Sequence, residues 1–168
     1  MPLHYGSARE LLEAARDALV DYDACAGHFE KLRIRAESLG GSGFAAVRGP
    51  SPHDVLESRV VTLADVGKAY ATRMDADERI IRLACAMLYG PEYEDGVLGG
   101  LMALVPSRSK WWVDALYDHY LLSWSWSKIG ERLKYSPSHV RSSAYAALEI
   151  ADAHGLAATI AGEGFAEG

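Results

Sequence analysis

The first half of the chain contains two long stretches in which apolar residues recur at alternating intervals of three and four positions. In the stretch from Ser7 to Leu39 every position of this pattern is apolar or aromatic, and the positions are Leu11, Ala15, Ala18, Tyr22, Cys25, Phe29, Leu32, Ala36 and Leu39. In the stretch from Ser51 to Tyr89 only Gly67 and Asp77 interrupt the pattern. Such a heptad seam predicts two long helices, and the short connection between them favours an antiparallel hairpin.

Residues at the ends of these stretches support the predicted limits. Ser7 followed by Glu10 is a capping-box pattern for the first helix. The linker Gly40–Gly49 consists mostly of small residues, so it has little apolar surface to bury. Ser51 with Pro52 is a typical N-cap and first helical position for the second helix.

The pattern changes after Pro91, where shorter elements follow. An apolar run predicts a short helix over residues 97–105, and a frayed tail is expected from Gly155 onward because it is rich in small residues. Three further helices are predicted, over Ser109–Ser123, Trp126–Lys134 and Pro137–His154. The sequence has no strand signal, so we predict an all-α fold in which a long antiparallel helical hairpin precedes a small helix-turn-helix domain. The predicted domains are a hairpin over residues 1–90, the helix-turn-helix domain over 91–155 and a flexible tail over 156–168.

The helix-turn-helix prediction rests on two short helices that each have their own cap. Ser125 is the expected N-cap of the first helix, and Gly130 provides the small residue needed where two helices cross closely. The turn Lys134-Tyr135 leads to Ser136, the expected cap of the second helix. Two capped helices joined by a three- to four-residue turn are typical of a DNA-binding helix-turn-helix.

The second helix of this pair has two chemically different faces. At 100° per residue its apolar side chains fall on one side, which we expect to face the core; they are Val140, Ala144, Ala147, Leu148 and Ala151. Short polar groups and one arginine, the residue types that read base edges in a major groove, lie on the rest of its surface. The predicted DNA contacts on this helix are Ser138, His139, Arg141, Ser142 and Tyr145, and Ser127, Lys128 and Lys134 complete the set.

The block of about 40 residues from about Trp111 to Asp152 resembles region 4 of sigma factors. The matching positions are Leu116, Tyr120, Ser125, Trp126, Ile129, Gly130, Leu133, Ser136, Val140, Ala147 and Leu148. A helical hairpin before such a module also resembles prophage proteins related to late-gene transcription activators of Gram-positive phages. The resemblance implies a transcription regulator that binds duplex DNA and contacts RNA polymerase. This chain departs from the family's pattern at Lys134, which stands where glycine is usual, and in having Arg141 as the only arginine of the predicted recognition helix.

Charge gives the strongest argument against a DNA-binding protein. The net charge is −6, and residues 107–154 contain six basic and five acidic residues, so weak non-specific affinity is expected. The alternative hypothesis is a phage packaging or structural adaptor, similar to a small terminase subunit, whose hairpin drives oligomerisation. The hairpin could also form a homodimer in the regulator.

No catalytic or cofactor-binding pattern stands out in the sequence. Cys25-x-x-His28 lacks a second pair at zinc spacing, and Asp118-His119 is interpreted as part of a solvated helix face. Most rings of the cluster from Trp111 to Trp126 are expected to pack the core. We therefore expect a non-enzymatic protein without metal or cofactor. We also expect no membrane span, and cysteines that are packed as small apolar residues, which suits the cytoplasm.

Overall fold

The computed structural model describes residues 4–40 and 52–162, and every regular element in these ranges is a helix. The long helices are α1 (Ala8–Gly40) and α2 (Pro52–Tyr89). The shorter ones are α3 (Gly100–Leu104), α4 (Lys110–Tyr120), α5 (Trp126–Leu133), α6 (Pro137–His154) and α7 (Leu156–Ala161), with single 3-10 turns at Tyr93–Asp95 and Ser107–Ser109. The all-α prediction is confirmed. Gly40, the first residue of the predicted linker, is the last residue of α1. Residues 41–49 of that linker and the predicted cap Ser51 lie outside the described residues.

The described residues form two compact units, and the limits of these units differ from the predicted division at residue 90. One unit contains the described residues up to Leu19 and from Arg79 onward, and the other contains those from Val20 to Glu78. In the first unit, Leu11 from α1 and Leu88 from α2 belong to the same buried core as residues of α4 and α6. The ends of both long helices therefore belong to the core of the C-terminal helices.

The second unit is an antiparallel pair of helical segments. Phe29 of α1 contacts Tyr70 of α2 edge to face, with ring centroids 6.3 Å apart. Nearer the start of α1, Asp21 forms an ion pair with Arg73, further along α2. Contacts that advance along one helix while they recede along the other identify the antiparallel arrangement predicted from the seam. Among the seam residues of this unit whose burial is described, Cys25 is buried and Phe29 is half-buried.

Two sets of hydrogen bonds fix the start of α1. The backbone N–H of Glu10 donates to Ser7 Oγ at 3.2 Å, as the capping box predicts. The Glu10 carboxylate accepts from the backbone N–H of Gly6 at 2.7 Å, one residue earlier than in the usual motif. The N–H of Ala8 donates to Asp152 Oδ1 at 2.6 Å, which joins this helix end to α6.

The helix predicted over residues 97–105 is shorter in the structure. It covers only Gly100–Leu104, while Val97 and Leu98 precede it in an exposed loop. A Cβ on Gly100 would lie 2.5 Å from the Met87 carbonyl oxygen, so its backbone packs directly against the last turns of α2. Gly100 also has φ +56°, a value that glycine adopts without strain. The Gly99-Gly100 pair thus marks a close backbone approach at the start of α3.

The prediction of a frayed tail immediately after Gly155 is wrong for its first residues. Helix α7 follows at once, and Thr159 within it is fully buried. The Thr159 hydroxyl donates to the Gly155 carbonyl oxygen at 2.9 Å, and Leu156 and Ile160 pack against the core. Tertiary burial of one face explains a short helix that composition alone does not predict. Residues 163–168 of the predicted tail lie outside the described residues.

Both cysteines are buried free thiols, as their place in apolar patterns predicts. Within residues 4–40 and 52–162, no helix combines the length and apolar content that a bilayer span requires.

Candidate nucleic-acid interface

Helices α5 and α6 begin at the capping residues that the sequence predicts. The Ser125 hydroxyl accepts a hydrogen bond from the N–H of Lys128 at 3.2 Å. The Ser136 hydroxyl accepts one from the N–H of His139, also at 3.2 Å, and Pro137 follows at the first helical position. Each cap satisfies a backbone donor that the helix itself leaves unpaired, so both helix starts are defined by local sequence.

The turn between α5 and α6 depends on one glycine and one strained residue. Lys134 has φ 63° and ψ 35°, the left-handed conformation that ends α5. The N–H of Tyr135 then donates to the Gly130 carbonyl oxygen at 3.0 Å. A Cβ on Gly130 would lie only 2.6 Å from the Tyr135 carbonyl oxygen. Glycine is therefore required by the approach of the turn, and not by a crossing of two helices as the sequence suggested.

The two faces of α6 have the polarity predicted for a recognition helix. Val140, Ala144 and Ala147 are fully buried in the core, and Leu148 and Ala151 are buried with them. The polar side chains predicted to contact DNA in its first two turns, namely Ser138, His139, Arg141 and Ser142, are all exposed. The short polar groups at the start of α6 are thus available to a ligand, while its apolar side holds the helix in place.

Tyr145, the fifth predicted contact on α6, is half-buried. Its ring meets Trp126 edge to face at 6.0 Å, and the Arg9 guanidinium lies 5.1 Å from its centroid. The start of α1 therefore partly covers this position, which the sequence pattern of α6 alone does not reveal. The freely exposed part of the predicted contact surface ends at Ser142.

The remaining predicted contacts lie on α5 and in the turn. Ser127, Lys128 and Lys134 are exposed. The Lys128 ammonium lies 4.0 Å from the centroid of the Trp124 ring, a cation–π contact that restricts its position. Ser127, Lys134 and Pro137 contribute to the wall of a shallow concavity of about 650 Å³ beside the turn.

Three rings from different elements meet at the start of α6. Trp111 of α4 stacks on Tyr135 of the turn, with centroids 5.0 Å apart and planes inclined by 20°. The His139 ring lies 5.0 Å from Tyr135 and 5.8 Å from Trp111. We call these three residues the aromatic cluster. Tyr135 is the signal that could have indicated it, because a large ring in an exposed turn needs a packing partner.

The junction of α4 and α5 corrects the interpretation of Asp118-His119 as a solvated face. Asp118 is buried and forms an ion pair with Arg132 of α5, and its desolvation raises the carboxyl pKa although Arg132 opposes this. Periodicity places both residues on the outer side of α4, and only the fold of α5 over them explains their burial.

His119 connects α4 to the loop before α5. Its Nδ1 lies 2.7 Å from the carbonyl oxygen of Trp124 and must donate, since a carbonyl only accepts. The imidazole stacks on Trp126 with centroids 3.7 Å apart. Burial lowers the pKa of His119, and Arg16, whose guanidinium donates to the His119 carbonyl oxygen at 2.9 Å, lowers it further. The neutral ring is therefore the form that this packing favours.

The rings from Trp111 to Trp126 pack on the core as predicted. Tyr120 is buried, and the others are half-buried against the same cluster of apolar residues. Their role in holding the three helices together explains why the region is rich in tryptophan.

Within the described part of the chain, no three His, Cys, Asp or Glu side chains are grouped so as to hold a metal ion. Comparison of the chain with protein-family models, curated proteins and solved structures gives no match.

Proposed function

We propose that this chain is a DNA-binding transcription regulator of phage or prophage type, which inserts the start of α6 into the major groove of duplex DNA. The proposal follows the resemblance of residues 116–148 to region 4 of sigma factors. In that module the second helix reads base edges, and the helix before it crosses the DNA backbone. The proposed setting is the bacterial cytoplasm, and no catalytic step is part of the proposal.

The contrast between the two faces of α6 is the observation that carries this proposal. Exposed Ser138, Arg141 and Ser142 supply hydroxyl and guanidinium groups, which form hydrogen bonds to base edges or phosphates. An apolar face buried along the rest of the helix holds these groups in a fixed orientation. Exposed Lys128 and Lys134, on α5 and the turn, are suitably charged for phosphate contacts.

The charge balance supports a weak binder that needs assistance. Only six basic residues oppose five acidic ones over residues 107–154, and each neutralised phosphate contributes to affinity through released counterions. We propose that RNA polymerase, or a second copy of the chain bound beside the first, supplies the remaining affinity. A regulator of this kind would bind poorly to arbitrary DNA and well to its own site.

The test is selection of binding sequences by the full chain from a library of randomised duplexes at low salt. Recovery of a consensus is expected, and Arg141→Ala should bind that consensus about ten- to a hundred-fold more weakly if Arg141 contacts a base. Arg79→Ala is the matched control, because it removes the same charge from α2. The proposal fails if the chain retains no duplex, or if Arg141→Ala and Arg79→Ala bind equally well.

A second candidate is an oligomeric phage packaging or structural adaptor. Val20, Leu32 and Ile34 on α1 are exposed large apolar side chains, and such residues are typical of surfaces that other chains cover. Molecular mass in solution separates the two candidates. A ring of many subunits favours the adaptor, whereas a monomer or dimer favours the regulator.

A further inference from the structure

The aromatic cluster fixes one polar ring in the first turn of α6. His139 is the third residue of this helix, and its side chain is exposed. Two neighbouring rings, Trp111 and Tyr135, lie within 6 Å of it, centroid to centroid. Since these neighbours come from α4 and from the turn, the imidazole is held by three elements and not by its own helix alone.

The polar atoms of this ring remain available to a ligand. The hydrogen bond recorded at His139 is made by its backbone N–H, which donates to Ser136 Oγ. Neither ring nitrogen bonds to another residue among those that the structure describes. An exposed imidazole that lies beside two other rings and has open nitrogens is suited to contact a partner along its edge.

We infer that His139 is a specificity-determining residue that reads a purine, and that Trp111 and Tyr135 are positioning residues that hold its ring for this contact. The inference rests on the proposed DNA-binding function. In the major groove the acceptors open to an N–H donor are N7 of both purines, O6 of guanine and O4 of thymine, so the purines carry most of them. An imidazole N–H can donate a hydrogen bond to any of these acceptors.

The cluster also explains why Tyr135 is tolerated in the turn. Its side chain is 47% exposed, and its ring keeps packing contacts with Trp111 and His139. Stacked on Trp111, it limits the rotamers open to His139, so less conformational freedom is lost when the ligand binds. Restricting a side chain in its bound orientation is a general way to raise affinity without adding a contact.

The test compares sequence preferences recovered by the full chain and its variants from the same library of randomised duplexes. His139→Phe keeps an aromatic ring in the cluster and removes both nitrogens. We expect this variant to lose the preference for a purine at one position of one strand, with about ten-fold weaker binding to the wild-type consensus and an unchanged salt dependence. His28→Phe, which alters an exposed imidazole on α1, should leave the recovered consensus intact.

Variants of Tyr135 test its positioning role separately. Tyr135→Phe retains the stack and should bind like the wild type. Tyr135→Ala should weaken binding to the consensus by about three- to ten-fold and flatten the same purine preference. Its affinity for DNA of unrelated sequence should stay the same, which a general loss of folding would not permit. Circular dichroism confirms that helix content is retained in each variant.

Several outcomes would overturn the inference. If His139→Phe recovers the wild-type consensus, His139 reads no base. If it weakens all sequences equally and lowers the salt slope by about one, the residue contacts a phosphate. In both cases wild-type binding persists, so the proposed function survives while the inference fails. If the wild-type chain retains no duplex, both fail together.

Discussion

Asp152, in the last turn of α6, accepts a hydrogen bond through Oδ1 from the backbone N–H of Ala8 at 2.6 Å. The carboxylate thus caps the start of α1 from a residue 144 positions away in the sequence. A negative charge at this helix end also interacts favourably with the helix dipole. The contact joins the first turn of α1 to the proposed recognition helix.

Asp152→Ala should lower the free energy of unfolding by about 1–2 kcal/mol, because the N–H of Ala8 loses its acceptor. Asp152→Asn should lower the free energy of unfolding less, since its amide oxygen can still accept the hydrogen bond from the N–H of Ala8. Denaturant unfolding measures both. Glu149→Ala is the control, because Glu149 is an exposed carboxylate on the same helix. Equal unfolding free energies for Asp152→Ala and Glu149→Ala would contradict a capping role.

Two helical glycines should respond oppositely to substitution by alanine. Gly130→Ala should destabilise the protein by several kcal/mol, because the added Cβ would meet the Tyr135 carbonyl oxygen at 2.6 Å. Gly27→Ala should stabilise α1 by about 0.5–1 kcal/mol, since no atom lies within 4 Å of its added Cβ. Melting curves of the two variants give the comparison. A small effect at Gly130 would show that the turn can move away.

Local signals in the sequence predict helix limits well where the capping residues determine them. Helix α6 begins at Pro137 and ends at His154, as predicted, because Ser136 caps its start and Gly155 follows its end. The antiparallel hairpin follows from the spacing of its seam. The capping residues are close together along the chain, and the seam residues recur at a fixed spacing, so both signals can be read directly from the sequence.

Contacts between distant residues account for what the sequence did not predict. The burial of Asp118 depends on the position of α5, and the partial cover of Tyr145 depends on Arg9 near the start of the chain. Helix α7 exists because one of its faces packs on the core. Helical periodicity identifies a face, but it does not identify which other element will lie against that face.

Lys134→Gly should raise the melting temperature, in contrast to most substitutions by glycine. A non-glycine residue in the left-handed region costs about 1–2 kcal/mol, and Lys134 has φ 63°. Part of this gain is offset by the greater freedom of glycine in the unfolded chain, so a net stabilisation of up to about 1 kcal/mol is expected. Lys128→Gly, inside α5, should instead destabilise by about 1 kcal/mol. If both variants melt below the wild type, the left-handed turn is not strained.

The stability of the protein should decrease as the pH falls below about 6.5, the ordinary pKa of histidine. Burial lowers the pKa of His119 in the folded state, so the unfolded chain takes up the proton first and is favoured at lower pH. The stability that packing of the neutral His119 ring contributes is fully present above pH 6.5 and is lost as the pH falls through the pKa of the folded state. One proton limits the slope to about 1.4 kcal/mol per pH unit.

The same pH series on His119→Phe isolates this residue. The variant keeps a ring to stack on Trp126 and has no group that titrates in this range, so its stability should vary less between pH 7 and 5. Burial raises the pKa of Asp118, so the folded state takes up this proton first as the pH falls. Asp118 therefore changes the stability in the opposite direction from His119. Identical pH profiles for the wild type and His119→Phe would contradict the assignment to His119.

Phe29→Asp tests whether the seam stabilises the helical pair formed by residues 20–78. Phe29 packs edge to face on Tyr70, and a Cβ on Gly67 would lie 3.1 Å from the Phe29 ring, so the absence of a side chain at Gly67 makes room for this ring. A carboxylate in its place would lose the aromatic contacts and lie against an apolar seam. Because Phe29 is only half-buried, we expect the free energy of unfolding of this helical pair to fall by about 2–3 kcal/mol, below the range for fully buried phenylalanine.

Hydrogen exchange of amides in residues 20–40 and 64–78 measures the effect of Phe29→Asp where it occurs, and protection there should fall by about 30- to 150-fold. His28→Asp, which introduces the same charge at the neighbouring exposed position, should leave that protection nearly unchanged. Equal protection in the two variants would show that the seam at Phe29 does not stabilise the pair.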